Sequence, residues 1–168
     1  ETEGGYSRHY PSGDEGSVYD VAMRYRDEGV PLVVVGGKLY GTGSSRDWAA
    51  KGSVLLGVKA VIIESIERIH RSNLIGMGVL PLQFKDGQDR KTLKLDGTET
   101  WDLTGLDGGI TAGMDVAARI TRADGGVEDI SLLCRIDTLD EVEYYRHGGI
   151  LQFVLRRMMK EADAPAAP

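Results

Sequence analysis

Three short apolar stretches, separated by segments with helical periodicity, place the strongest constraint on how this chain can fold. They cover residues 31–35, 59–63 and 79–84, and all are rich in Val, Ile or Leu. Stretches of this length and composition are typical of strands that are buried on both faces of a sheet. The alternation with helical segments predicts an α/β unit in the first half, with at least partly parallel strands. Pro81 favours an edge position or an irregularity for the third strand.

Capping residues predict the helices between these strands. Ser17 is a suitable N-cap for a helix that ends at Gly29. A short helix is predicted over residues 44–51, with its end at Gly52, and a further helix is predicted over residues 65–76. Helix and strand therefore alternate through the first half of the chain.

The second half has a different periodicity. It is predicted to contain two short strands, at residues 92–95 and 101–103, followed by a hairpin of residues 114–122 with 127–136. Two helices are predicted after the hairpin, at residues 138–147 and 150–161. No linker divides the sequence, so residues 1–168 are predicted to form a single domain. Residues 1–16 are expected to be an extended lead-in, and residues 162–168 a flexible tail.

Composition limits the classes of function. The chain has 168 residues and a formal net charge of −6, which argues against a dedicated nucleic-acid binder. It has one cysteine, Cys134, so neither an internal disulfide nor a self-contained multi-thiolate metal or iron–sulfur site can form. We interpret Cys134 as a small buried hydrophobic residue. No apolar stretch is long enough to cross a bilayer, and the expected location is cytoplasmic, without a membrane partner.

A glycine-rich segment between the first strand and the next helix is the main candidate for chemistry. Gly41 and Gly43 precede Ser44, Ser45 and Arg46 there. In open α/β sheets, ligands bind where a strand ends and a helix begins. The first turn of a helix offers unpaired N–H groups and the positive end of its dipole, and an arginine can hold a carboxylate through two bonds.

A purely structural interpretation of this segment stays open on the pattern alone. Ser44 can simply cap the helix with Asp47 as the reciprocal partner, while Arg46 is a solvated surface charge. A dinucleotide-binding interpretation is weaker, because Arg46 stands where the third glycine of that motif belongs. His70, in the predicted helix over 65–76, invites a catalytic interpretation, but we interpret it as structural. Arg71 is interpreted as an ordinary solvated charge unless a partner is shown.

Six segments of the sequence together carry a resemblance to a known family. They are 17–20 (SVYD), 29–34 (GVPLVV), 40–52 (YGTGSSRDWAAKG), 67–74 (ERIHRSNL), 76–82 (GMGVLPL) and 144–151 (YYRHGGIL). These segments resemble the C-terminal swivelling domain of aconitase, in the branch with bacterial aconitases and iron regulatory proteins. The resemblance covers nearly the whole chain. It implies an α/β fold of the three-layer β/β/α type, with a partly parallel sheet, flanking helices and an added β-hairpin.

The resemblance also implies roles for residues of the glycine-rich segment. Aconitases interconvert citrate and isocitrate through cis-aconitate by dehydration and rehydration. Ser44 matches the general base, Ser45 and Arg46 match residues that bind substrate carboxylates, and Gly41 and Gly43 belong to the supporting loop. The family's 4Fe-4S cluster would lie outside this chain, on partner domains of the same enzyme. The chain is thus expected to be an excised domain or a split subunit that is inactive alone.

Three alternatives remain at this point. The first is an RNA-binding domain of the iron regulatory type, with the apo form binding RNA. The second is a domain like the small subunit of isopropylmalate isomerase, which the run from Arg46 to Gly52 disfavours. The third is the iron–sulfur 2-methylcitrate dehydratase, which shares that run.

Overall fold

The computed structural model of the chain describes residues 4–43, 46–85 and 87–162, and only the backbone at Arg46. The elements in chain order are β1 (Tyr6–Arg8), β2 (Glu15–Ser17), α1 (Val18–Asp27), β3 (Leu32–Val35), α2 (Arg46–Leu55), β4 (Val58–Ile63), α3 (Arg68–Gly76), β5 (Leu80–Phe84), β6 (Thr100–Thr104), β7 (Asp115–Thr121), β8 (Val127–Cys134), α4 (Leu139–Arg146) and α5 (Ile150–Ala162). None of these helices is both long and apolar enough to cross a membrane.

A six-stranded mixed sheet with the order β3-β4-β5-β8-β7-β6 forms the centre of the fold. Strands β3, β4 and β5 are parallel, and the remaining pairs are antiparallel. The expected α/β fold, with a partly parallel sheet, flanking helices and a hairpin of β7 and β8, is therefore confirmed. The parallel strands are connected through α2 and α3, which is how adjacent parallel strands are usually joined.

Alternate side chains of β4 enter two separate apolar clusters. Ala60 and Ile62 belong to a large cluster with β5, β7 and β8. Val61 belongs to a smaller cluster with Ala50 of α2 and Leu74 of α3. Because successive side chains of a strand point to opposite faces, this arrangement buries β4 on both faces, as its sequence predicted.

The prediction that Pro81 marks an edge or an irregularity is wrong about the edge, because β5 lies inside the sheet. Leu82 pairs with Cys134 of β8, so the next facing pair is Pro81 and Arg135. The Arg135 N–H donates to the Pro81 carbonyl (2.9 Å), but proline has no N–H to return the bond. The Arg71 guanidinium donates to the Arg135 carbonyl instead, at 2.8 Å.

Two other predictions are corrected. Residues 92–95 form a turn rather than a strand, because the Asp89 carboxylate accepts the N–H groups of Lys91 and Thr92, both at 2.7 Å. The lead-in is not merely extended, since β1 and β2 pair as an antiparallel ribbon. The predicted tail lies outside the described residues from position 163 onward.

The helices follow their predicted positions with shifted ends. The Ser17 hydroxyl caps α1 and the Thr138 hydroxyl caps α4, each by accepting a backbone N–H three residues later. Helix α2 continues past the predicted end at Gly52, and a left-handed residue follows it at Gly57 (φ +85°). Helix α3 begins after the predicted residue 65, because Glu67 is its N-cap.

Candidate functional site

The segment after β3 is fastened to the segment after β4. The Tyr40 N–H donates to the Ser65 carbonyl (3.0 Å), and the Glu67 N–H donates to the Tyr40 carbonyl (2.9 Å). Tyr40 and Ile66 thereby form an isolated parallel bridge, and the Ser65 hydroxyl accepts the Leu39 N–H at 2.8 Å. The glycine-rich turn therefore lies at the carboxyl edge of the parallel strands, where open α/β sheets bind ligands.

Two glycines of this turn lie against aromatic side chains. A Cβ built at Gly36 would lie 2.8 Å from Cδ2 of Tyr40, and one built at Gly41 would lie 2.3 Å from Cγ and Cδ2 of His70. Gly41 also has φ +86°, which residues with a Cβ rarely adopt. A Cβ at Gly43 would meet no atom within 4 Å. Of the two predicted supporting glycines, only Gly41 thus has a packing reason in the described residues.

The glycines of the turn pack against the side chains of His70 and Tyr40. His70 is only 2% exposed, and its ring centroid is 5.3 Å from that of Tyr40. Burial raises the pKa of the Tyr40 phenol. His70 lies in the first turn of α3, where its backbone N–H donates to the Glu67 carboxylate at 2.9 Å. The sequence contains no signal that joins His70 to Gly41, because the two are distant along the chain and belong to different elements.

The helix that follows the turn begins at Arg46. Ser44 and Ser45, predicted as catalytic and substrate-binding residues, lie outside the described residues, as does the side chain of Arg46. The described part of the turn ends at Gly43, and α2 begins three residues later at Arg46. Asp47 is in the first turn of this helix, and Trp48 is exposed, with Nζ of Lys51 4.8 Å from the centroid of its ring.

Arg71 is not a solvated charge as predicted. It is 8% exposed, and its two Nη atoms donate to the two carboxylate oxygens of Glu141 at 2.9 and 2.8 Å. Its Nε lies 3.5 Å from the Asp137 carboxylate. These bonds tie α3 to the start of α4 through the residue that follows His70 in the chain. For Glu141, burial favours the neutral acid, but the Arg71 hydrogen bonds and the Asp137 N–H outweigh burial and lower its pKa.

The donor set of the chain does not fit an iron–sulfur cluster. Such a cluster needs several thiolates, and the one cysteine, Cys134, is fully buried in β8. Burial also raises the pKa of its thiol, which disfavours the thiolate. In the described ranges, no three His, Cys, Asp or Glu side chains are grouped so that they could hold a metal ion. The interpretation of Cys134 as a buried hydrophobic residue is confirmed.

Known proteins share the sequence and the fold. Residues 1–87 match the aconitase C-terminal domain. The chain is 61% identical over 157 residues to aconitate hydratase A of Pseudomonas aeruginosa, covering 94% of this chain and 17% of that protein. It is 56% identical over 158 residues to aconitate hydratase A of Escherichia coli, covering 94% of this chain and 18% of that protein. It therefore spans less than one-fifth of the length of these relatives.

A solved structure supports the fold. The crystal structure of 3-isopropylmalate dehydratase from Methanocaldococcus jannaschii superposes with a TM-score of 0.50 at 20% identity. The superposition covers 88% of this chain and 82% of that chain. At this identity, the likeness concerns the architecture of the sheet and helices alone.

Proposed function

The chain belongs to the aconitase C-terminal domain family, and from that premise we propose that it is the substrate-carboxylate-binding domain of an aconitate hydratase, interconverting citrate and isocitrate through cis-aconitate. The observation that carries this proposal is the start of α2 directly after the glycine-rich turn, at the carboxyl edge of β3 and β4. A helix start in this position favours a bound carboxylate, because its N–H groups and dipole face the anion.

We propose that the functional residues of this domain are Ser44, Ser45 and Arg46. Ser44 acts as the general base that removes the proton α to a substrate carboxylate. A serine hydroxyl is a poor base unless its alkoxide is stabilised, and a helix start with an adjacent guanidinium supplies that stabilisation. Ser45 and Arg46 bind substrate carboxylates, and the arginine can do so through two parallel bonds.

The family's 4Fe-4S cluster is proposed to be bound outside this chain, on other domains of the same enzyme. When bound there it supplies a Lewis acid, which the residues of this chain cannot provide. We therefore expect residues 1–168 to act as one domain that shows no turnover by itself, in a cytoplasmic enzyme.

Helix α5 supports the proposal that other domains pack on this one. No residue of this helix is buried, although its side chains are largely apolar. The large hydrophobic residues that it exposes are Ile150, Leu151, Val154, Leu155, Met158 and Met159. Contiguous apolar surfaces of this kind typically mark contacts with another protein surface. The rest of the longer enzyme is the occupant that we propose.

Arg46→Lys in the complete enzyme tests the proposed function. The substitution keeps the charge but removes the two-bond grip, so the KM for citrate should rise roughly 10- to 100-fold, corresponding to about 1.5–3 kcal/mol. Dehydration of citrate, followed by the ultraviolet absorbance of the cis-aconitate that forms, is the assay, and Arg26→Lys at an exposed position of α1 is the matched control. An unchanged KM for citrate in Arg46→Lys would contradict the proposed role of Arg46 in binding a substrate carboxylate. Turnover by the 168-residue chain alone would refute the need for other domains.

A further inference from the structure

We propose that His70 is a positioning residue for the proposed base, because its buried ring is the surface on which the turn before Ser44 rests. This inference rests on the proposed function. Gly41 contacts the His70 ring so closely that no Cβ fits between them, since a built one would lie 2.3 Å from two ring atoms. Ser44 follows Gly41 by three residues, so a displacement of this glycine is transmitted along a short stretch of backbone.

The rings and the glycines form one packed stack. Gly36 leaves room for Tyr40, Tyr40 lies beside His70, and His70 leaves room only for a glycine at position 41. Packing of this density transmits a change of volume rather than absorbing it. Removing the imidazole would therefore leave the turn without its support, and a larger residue at position 41 would push the turn outward.

The position of His70 is itself fixed from two sides. The Glu67 carboxylate accepts the His70 backbone N–H, and the Glu67 backbone N–H donates to the Tyr40 carbonyl. One capping residue therefore holds both the histidine and the turn. On the other side, Arg71 ties the same helix to Glu141 of α4. The imidazole is therefore held by the fold and can impose a position on the turn. This is the arrangement expected of a group that orients a reacting residue without touching the substrate.

The test uses the complete enzyme with citrate deuterated at the carbon that loses its proton. His70→Ala should lower kcat about 100-fold, the loss expected for a displacement of roughly 1 Å. It should also raise the primary isotope effect on kcat, because a displaced base makes proton abstraction more rate-limiting. His70→Gln is close to histidine in volume and should recover at least roughly tenfold of the lost kcat.

Leu74→Ala is the matched control. Leu74 lies on the same helix and is fully buried in the small cluster with Ala50 and Val61, so its truncation leaves a cavity there. It should lower the melting temperature and leave the isotope effect at the wild-type value. If His70→Ala fails to fold, Gly41→Ala displaces the turn with the ring retained and should give the same fall in kcat and the same rise in the isotope effect.

The outcomes separate this inference from the proposed function. If wild-type enzyme hydrates cis-aconitate but His70→Ala, or Gly41→Ala in its place, keeps both kcat and the isotope effect, the positioning role is overturned and the proposed function stands. If the kcat of His70→Ala falls with an unchanged isotope effect, as expected of mere loss of folded enzyme, the role is also overturned. If wild-type enzyme hydrates no cis-aconitate, the proposed function itself fails.

Discussion

Gly41→Ala should destabilise the chain much more than the same change at two other glycines. At Gly41 the new Cβ meets both a left-handed backbone (φ +86°) and the His70 ring at 2.3 Å. The backbone strain costs about 1–2 kcal/mol. Carbon atoms pack best about 3.5–4.0 Å apart, so the ring or the turn must move by more than 1 Å, and overpacking of this kind costs about 1–3 kcal/mol more. We therefore expect a total loss of about 2–5 kcal/mol.

Two matched variants separate strain from collision. Gly29 has φ +73° but nothing within 4 Å of a built Cβ, so Gly29→Ala carries the strain of about 1–2 kcal/mol alone. Gly43 is outside the left-handed region and also has open space. Gly43→Ala should leave the stability unchanged or raise it by up to about 1 kcal/mol, because alanine restricts the unfolded chain.

Urea unfolding of the 168-residue chain, followed by circular dichroism, measures these differences in the free energy of unfolding. A double-mutant cycle with His70→Ala then isolates the contact. His70→Ala removes the two ring atoms that lie 2.3 Å from the built Cβ but keeps the His70 Cβ at 2.5 Å, so it relieves only part of the collision. The double variant should therefore be more stable than the sum of the single changes predicts, by at least about 0.5 kcal/mol. A cost at Gly41 equal to that at Gly29, with no coupling to His70, would refute the packing argument.

Two further predictions concern buried groups. The pKa of Glu141 is lower in the folded chain than in the unfolded chain, where it is about 4.3, so ionised Glu141 stabilises the fold above this pH. This stabilisation is lost as the pH falls through the pKa of the folded state. Urea titrations should therefore show that Glu141→Gln is about 1–3 kcal/mol less stable than wild type at neutral pH, with a smaller difference below about pH 4. The control, Glu143→Gln on the same helix, should change the stability little. A stability difference for Glu141→Gln that widens in acid would contradict this prediction. The Cys134 thiol is fully buried with a raised pKa, so a thiol reagent should label the native chain roughly a thousandfold more slowly than the chain in urea, and equal rates would contradict its burial.

The α/β order could be predicted because its signals are local. Strand β4 ends in four consecutive apolar residues, 60–63, and Ser17 and Thr138 cap helices that begin at the next residue. The turn at 92–95 could not be predicted from periodicity, because the Asp89 side chain captures the N–H groups that a strand would have offered to a neighbour.

The interior position of Pro81 depends on a residue that is remote in sequence. The rule that places proline at sheet edges assumes that nothing else can supply the missing N–H. Arg71 supplies a donor to the Arg135 carbonyl, and the same guanidinium binds Glu141. One arginine therefore permits a proline in the sheet and joins α3 to α4, which no local pattern could indicate.

A glycine-rich segment can form a tight loop, or it can let the backbone approach another group closely. The structure makes it both, at different positions. Gly36 and Gly41 approach the rings of Tyr40 and His70, whereas Gly43 has open space around it. The close approach is therefore made to side chains of the chain itself. Because the His70 ring belongs to α3, the turn that precedes Ser44 takes its position partly from that helix and not from its own sequence alone.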